Sequence, residues 1–392
     1  MKYKAFATTI ALGVVGLLAW KATADNPIFF GDPLRGLTTD LLDRFVSGKE
    51  EFEQVETAAD GLGPVFNDTS CAACHSSPAV GGDSDTVETR FGTITDNHFD
   101  ALAQFGGSLI QSQGIGATGS CNFVGETVPQ QATIVAQRKT TPLFGSGLVD
   151  AVPDKVFLLL AQLQKNVSPA TAGRVNVVQD ATTGLVAVGK FGWKAQVPSL
   201  RHFSGDAYLN EMGITSPFFP NENCPQGDCA QVTECDPLTD PEDDGSNIEA
   251  FTDFMTLLAA PSRGPINRQV IAGEFVFLRI GCGGCHLPTL ITGLSPIKAL
   301  NKVAFHPYSD FLLHDMGSLG DGIEQGKAKG REMRTAPLWG IRVRTTFLHD
   351  GSQNILEGAI LAHDGQGRKS KNRFSALSAR DAENLIAFLN SL

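Results

Sequence analysis

Tyrosine and tryptophan are scarce, at three each in 392 residues, and bases are outnumbered, with 31 Lys and Arg against 42 Asp and Glu for a net charge of −11. An acidic chain is a poor nucleic-acid binder, because affinity for phosphate backbones rests on clustered Lys and Arg. Beyond the N-terminus no stretch holds the roughly 20 apolar residues that a spanning helix needs, so no membrane span is expected. What is plentiful is Gly (42), Pro (20) and Cys (8). The first two suit helices joined by long irregular loops.

The N-terminus reads as an export signal. Lys2 and Lys4 precede an apolar run from Ala5 to Trp20, and Ala22-Thr23-Ala24 offers small residues for cleavage before Asp25. No Cys follows the cut, which argues against a lipoprotein. Residues 1–24 are therefore expected to be a signal peptide and the mature chain to be periplasmic. Loss of Lys2, Lys4 and Lys21 makes that chain more acidic still, a charge that steers it toward basic electron-transfer partners.

Two cysteine motifs organise the rest: Cys71-Ala72-Ala73-Cys74-His75 and Cys282-Gly283-Gly284-Cys285-His286. In C-x-x-C-H the two thiols can form thioether bonds to one haem, and the following His becomes the proximal iron ligand. A thioredoxin-type redox pair or half a zinc site also uses C-x-x-C. The first needs a βαβ context that the sequence lacks, and zinc gives no reason for a His directly after the second Cys both times. Two covalently bound haem c groups are the expected cofactors, with Cys71, Cys74, Cys282 and Cys285 as attachment points and His75 and His286 on iron.

Four cysteines remain: Cys121, Cys224, Cys229 and Cys235. In an oxidising compartment they favour two disulfides with three possible connectivities, and one bridge within the 224–235 loop would leave Cys121 for the third member. That loop region also carries Asp228, Glu234, Asp236, Asp240, Glu242, Asp243 and Asp244 without a base. Calcium is a candidate there for its oxygen ligands, although the spacing matches no EF-hand and a solvated acidic loop is the plainer account.

Helical spacing of Leu41, Leu42, Phe45 and Phe52 behind Thr38 and Thr39 predicts a helix over 37–55 leading to the first motif. From Pro265, the residues Val270, Ile271, Phe275, Phe277 and Leu278 predict a second one ending at Gly281. A closing helix behind Ser378 presents Leu385, Ile386, Phe388 and Leu389, and an insertion between Val152 and Phe191 holds an apolar helix near Val156 to Leu163. The linker Ala259 to Pro265 is the expected seam. The fold class is then mainly α: two cytochrome c-like haem domains, residues 25–260 with an insertion and residues 265–392, joined by long irregular loops.

Arg138-Lys139-Thr140-Thr141-Pro142-Leu143-Phe144-Gly145 recurs as Arg334-Thr335-Ala336-Pro337-Leu338-Trp339-Gly340, each copy downstream of its own C-x-x-C-H. With His349-Asp350-Gly351 after the second copy, this order resembles bacterial dihaem cytochrome c peroxidases and MauG-type proteins. It is most similar to their offshoot, the dihaem oxidoreductases of peroxidase type sometimes labelled thiol oxidoreductases. The stretches Phe66 to Ser70, Pro78 to Gly82, Phe191 to Ala195, Glu211 to Thr215 and Leu313 to Gly317 carry the likeness, which runs from about Asp32 to the C-terminus.

The resemblance implies one six-coordinate haem that passes electrons and one with an open or displaceable position for peroxide. His363, fourteen residues after His349, resembles in placement the distal ligand of the C-terminal haem; Met316 is the alternative. The N-terminal haem would be the reactive one, with His98 a candidate displaceable ligand and Trp193 a candidate pocket wall or relay between haems. The family's proton-moving Glu would fall at Arg201 by spacing. Since an Arg cannot take a proton in that step, His202, Glu211 and Asp150 are the candidates. The function implied is a periplasmic, peroxidase-like oxidoreductase using hydrogen peroxide or oxygen and a small cytochrome or cupredoxin partner. A non-enzymatic electron carrier and a MauG-like or oxygenase enzyme acting on an organic or protein substrate are the alternatives.

Overall fold

The computed structural model describes residues 27–392; the expected leader lies outside the described residues. Helix α1, Thr39–Glu53, starts where Thr38 turns extended and its side chain accepts from the Leu41 amide. It buries Phe45 and Phe52. Leu42, expected on the same face, is exposed. The short helix α2, Cys71–Cys74, follows, then α3, Ser146–Asp150, and α4, Asp154–Val167. The last is the expected insertion helix, yet among its apolar residues only Phe157 is buried, while Leu158, Leu159 and Leu163 face outward.

Four helices carry the chain through the middle: α5, Leu200–Met212; α6, Cys229–Cys235; α7, Ser246–Leu257; and α8, Arg268–Ile280. Helix α8 begins at an Asn267 cap and stops at Gly281, whose φ of 97° is open to glycine and strained for other residues. Val270 and Phe277 point inward, whereas Ile271, Phe275 and Leu278 are exposed, so the buried stripe is narrower than the run of apolar residues implied. Helices α9, Leu356–Ala362, α10, Arg368–Ser375, and α11, Ala379–Leu389, close the chain. Ser378 caps α11 through the Asp381 amide.

Among the described residues, two large apolar cores result. In the first, α1, α5 and α7 pack around Phe45, Phe52, Phe251 and Phe254, with the Phe52 and Phe254 rings 4.9 Å apart. Gly48 lets α1 approach α7 closely, since a Cβ there would lie 2.3 Å from the Ala250 carbonyl oxygen. In the second, α8, α9 and α11 meet around Phe277, Leu385 and Phe388. Burying a side chain of that size contributes about 1.5–3 kcal/mol.

The linker Ala259 to Pro265 does run between α7 and α8, but the cores do not divide there. Leu290, Leu300, Phe305, Phe311 and Leu312 join the first core. The chain after the second motif returns across the N-terminal half through the pair Leu290–Ile291 and Ala304–Phe305 before building its own core.

Helices dominate, as expected, but the loops hold more order than composition suggests. Strand Val87–Thr95 pairs antiparallel with Ile134–Lys139, in register Val87 with Lys139, and with His98–Asp100. Leu313–Asp315 pairs with Glu332–Arg334. Lys139 and Arg334, each three residues before the proline of the internal repeat, thus both end a strand. The disulfides are Cys224–Cys229 and Cys121–Cys235, one of them inside the 224–235 loop and the other tying Cys121 to it.

Candidate functional site

The two C-x-x-C-H motifs each open onto a cavity. At the first, Ser70 caps α2 by accepting from the Ala73 amide, and the His75 amide donates to the Cys71 and Ala72 carbonyls. The His75 ring is thereby turned inward, and its Nδ1 hydrogen-bonds the Gly82 carbonyl at 3.0 Å. Such a bond fixes the tautomer with the proton on Nδ1 and leaves Nε2 free as a ligand. Burial lowers the His75 pKa to about 4, so the ring is neutral.

The second motif repeats the design from different local structure. Gly281 ends α8, Cys282–Gly284 forms a 3-10 turn, and the His286 amide donates to the Cys282 carbonyl. His286 Nδ1 bonds the Tyr308 carbonyl at 2.9 Å, and burial brings its pKa to about 4. The four motif cysteines are free thiols, while the other four are paired. Burial pushes Cys71, Cys74 and Cys282 up to about 12. These thiols are protonated at neutral pH.

The C-terminal cavity has the room, and both motifs have the donors, for a large planar iron cofactor. The C-terminal one encloses about 600 Å³ and is lined by Cys282, Cys285, His286, Met316 and His363 among others. His363 caps the end of α9 and bonds the Ala359 carbonyl through Nδ1 at 2.8 Å. Its ring centroid lies 6.4 Å from that of His286. A metal–imidazole bond is about 2.0–2.1 Å, so two rings binding one ion from opposite sides are separated by two such bonds and two ring radii, which matches this spacing. Met316 lines the same cavity beside His363. His314, buried below it, bonds Asp310 at 3.0 Å; its imidazolium is favoured despite burial because that carboxylate is adjacent.

The N-terminal cavity, about 190 Å³, is of another character. His75 is its one lining histidine, and its polar lining includes Glu88, Arg90, Arg138, Gln196, Asp206 and Glu211. Glu211 stands near the end of α5 and accepts from Asn67 Nδ2 at 2.8 Å. Burial, aided by the nearby Glu88, raises its pKa to about 7. Burial also raises that of Asp206. Arg90 pairs with Glu88 at 2.9 Å.

Of the proposed acid–base residues, Glu211 lines this cavity and the others do not. His202 shares α5 with it, but nine residues at 3.6 per turn place the two on opposite faces. Its Nδ1 accepts from the Ala181 amide at 3.0 Å, beside Asp180. Asp150 ends α3 outside both cavities, 3.9 Å from Lys190, with burial raising its carboxyl to about 6. Arg201 is bonded to Glu249. His98 sits exposed on a hairpin strand, away from the lining.

Trp193 occupies the wall common to both cavities. Its Nε1 donates to the Lys139 carbonyl at 2.8 Å, and its ring meets His349 edge-on at 6.2 Å. Asn67 and Arg138 fell within stretches singled out by sequence. Arg90, Gln196 and Asp206 carried no sequence signal, because each reaches the cavity through packing between distant segments.

The acidic stretch gathers differently from its spacing. Glu222, Asp236, Asp240 and Glu242 bring carboxylate oxygens within 4.8 Å of one another. Asp228, Glu234, Asp243 and Asp244 stand outside this group.

No curated protein matches this chain. Among solved structures it is similar to the diheme peroxidase BthA from Burkholderia thailandensis E264, at 14% identity over 89% of this chain and 86% of that one, with a TM-score of 0.40. A MauG-like protein associated with microbial copper homeostasis is similar at 15% identity over 95% of each chain, TM-score 0.40. Hydrazine synthase of Kuenenia stuttgartiensis is similar at 13%, over 95% of this chain and 97% of that one, TM-score 0.39. A family model described as "Di-haem oxidoreductase, putative peroxidase" matches residues 116–392, most of the chain and the second motif, and the chain belongs to that family.

Proposed function

We propose that the chain is a periplasmic dihaem c oxidoreductase that reduces hydrogen peroxide, in two cytochrome c-like domains, with electrons entering at the C-terminal site. One observation carries the reading: the two histidine sites are chemically unequal. His286 is faced by a second neutral imidazole, His363, which suits a closed, six-coordinate site. The His75 cavity has no second histidine in its lining and presents Glu211 instead.

Cys71, Cys74 and His75 would hold one haem, and Cys282, Cys285, His286 and His363 the other. When bound, these groups supply the redox chemistry: peroxide, two electrons and two protons yield two waters. The chain's own part is to place the protons. A carboxyl whose pKa is about 7 can take a proton and return it near neutrality. Glu211 Oε2 is the atom proposed for both transfers, and the Asn67 amide fixes its orientation. Trp193 fills the space between the two sites and excludes water from it. The acidic surface fits a basic cytochrome or cupredoxin as electron donor.

The test is the absorption and EPR spectra of both redox states with and without peroxide. One low-spin and one high-spin or displaceable ferric signal, with peroxide reoxidising the reduced protein, is the expected result. Two low-spin signals unresponsive to peroxide would make the chain an electron carrier.

A further inference from the structure

Next to Trp193, three charged side chains are shut away from water. Asp321, 1% exposed, is contributed by the C-terminal half; Arg138, 1%, and Lys194, 0%, come from the N-terminal half. Arg138 Nη2 and Nε lie 2.7 and 2.8 Å from Asp321 Oδ2, and Lys194 Nζ lies 2.8 Å from Oδ1. One carboxylate therefore holds two cations, each with a different oxygen. Lys194 Nζ donates further to the Lys329, Gly330 and Glu332 carbonyls, and Arg138 Nη1 to Gln325 Oε1.

The two gripped residues are chain neighbours of the two that form the wall. Lys194 follows Trp193, and Arg138 precedes Lys139, whose carbonyl accepts the Trp193 indole proton. The Asp321 carboxylate thus clamps both backbone segments that the indole hydrogen bond joins. The Arg334 amide donates to the Trp193 carbonyl from the other side. None of the three charged residues belongs to the polar set that moves protons in the reading above, and burial of this kind is costly unless every charge is paired.

The charges are also placed unevenly. Arg138 lines the N-terminal cavity and not the C-terminal one, and Asp321 and Lys194 line neither. Glu88, 3.7 Å from Arg138, is shared with Arg90 at 2.9 Å. Removing the Asp321 charge leaves surplus positive charge behind the wall of the N-terminal cavity, where low dielectric gives it long reach.

We propose that Asp321 is a positioning residue: through Lys194 and Arg138 it fixes the Trp193 indole between the two cavities and neutralises the cationic side of the N-terminal one. This rests on the assignment of both cavities as haem sites, but not on peroxide being the substrate.

The test compares holoproteins of wild type, Asp321→Asn, Asp321→Glu and Glu324→Gln, the last removing a half-buried carboxylate in the same loop that pairs with Lys329. Spectroelectrochemical titration reads the two haem midpoints. Ultraviolet resonance Raman, assigned by difference against Trp193→Phe, reads the indole hydrogen bond. In Asp321→Asn the N-terminal midpoint rises more than the C-terminal one and the indole band shifts. Turnover number falls by about 10²-fold, the scale of a misplaced site group, with KM unchanged. Asp321→Glu recovers part of each change, and Glu324→Gln resembles wild type.

Should Asp321→Asn fail to fold, the double variant Lys194→Met/Asp321→Asn keeps the charge balance. It should hold wild-type midpoints with a shifted indole band. A folded Asp321→Asn, or the double variant, with an unaltered indole band overturns the proposal. Shifted midpoints and band in a protein that never turns over peroxide overturn the peroxidase reading and leave Asp321 in its role.

Discussion

The imidazoles of His286 and His363 face each other across the C-terminal cavity with ring centroids 6.4 Å apart and planes inclined by 58°. Each is half-buried and spends its Nδ1 proton on a backbone carbonyl, Tyr308 for one and Ala359 for the other. Both Nε2 atoms are left as acceptors, so the two rings would be able to hold one iron, with their tautomers set by those carbonyls.

His363→Ala should therefore open the C-terminal site. The ferric EPR spectrum would gain a high-spin component, and His363→Met would return it to low spin with a higher potential, since thioether ligation raises it. Met316→Ala should leave the spectrum as in wild type. A high-spin component in Met316→Ala and none in His363→Ala would transfer ligation to Met316.

Glu211→Gln should slow peroxide-dependent oxidation of a reduced donor by about 10²–10⁴-fold, the usual contribution of a positioned acid–base group. Both haem spectra would stay near wild type. Because Glu211 has a pKa near 7, the wild-type rate constant for peroxide attack should rise with pH through that value as the carboxylate forms, and this limb should vanish in the variant. His202→Ala, altering a residue outside the cavity lining, should change the rate little.

Much of this was legible in sequence because it is local. Thr38 and Ser378 cap the helices that their spacing marks, and a His directly after C-x-x-C has one usual chemistry. Glu211 was visible only as one of three candidates, behind His202. What separates it from His202 is the phase of α5, which cannot be set until its partners are known; the hydroxyl of Ser204 and the ring of Tyr208 make that helix weakly amphipathic. Arg90, Asp206 and Asp321 were invisible for a different reason. Arg90 and Asp206 reach one cavity from segments more than 100 residues apart, and Asp321 pairs with cations of the other half, and no periodicity records such meetings. The exposed Leu158, Leu159 and Leu163 are the converse case, apolar residues at helical spacing that no second element covers.

Gly273 is a packing test of the second core. It lies inside α8, where an Ala would ordinarily favour the helix by about 1 kcal/mol. Here a Cβ would fall 1.8 Å from the Asn384 carbonyl oxygen of α11. The backbones of α8 and α11 must separate to admit it, and overpacking of this kind costs about 1–3 kcal/mol or more. Gly273→Ala should lower the thermal midpoint, and loosening at α8 should increase the exchange of the Phe388 and Leu389 amides. An unchanged midpoint would mean that the helices pack less closely than described.

The acidic group around Glu222 makes stability depend on pH with a definite sign. Both Glu222 carboxyl oxygens are shielded from water and lack a hydrogen-bond donor. Burial first, then the charge of Glu242, Asp236 and Asp240, raises the Glu222 pKa from an ordinary 4.5 to about 9, and burial raises Asp236 to about 6. The folded chain therefore binds more protons here than the unfolded chain between those values. By linkage, this contribution to stability is complete below about 4.5 and is lost progressively as pH climbs toward 9. Glu222→Gln removes the titrating group while keeping its shape. Its thermal midpoint in chelator-treated buffer should exceed that of wild type at pH 8, and the two should converge at pH 5, where the wild-type carboxyl is already protonated. A wild-type midpoint that rises between pH 5 and 8 relative to the variant would mean that Glu222 is ionised and balanced by a positive partner in the folded chain.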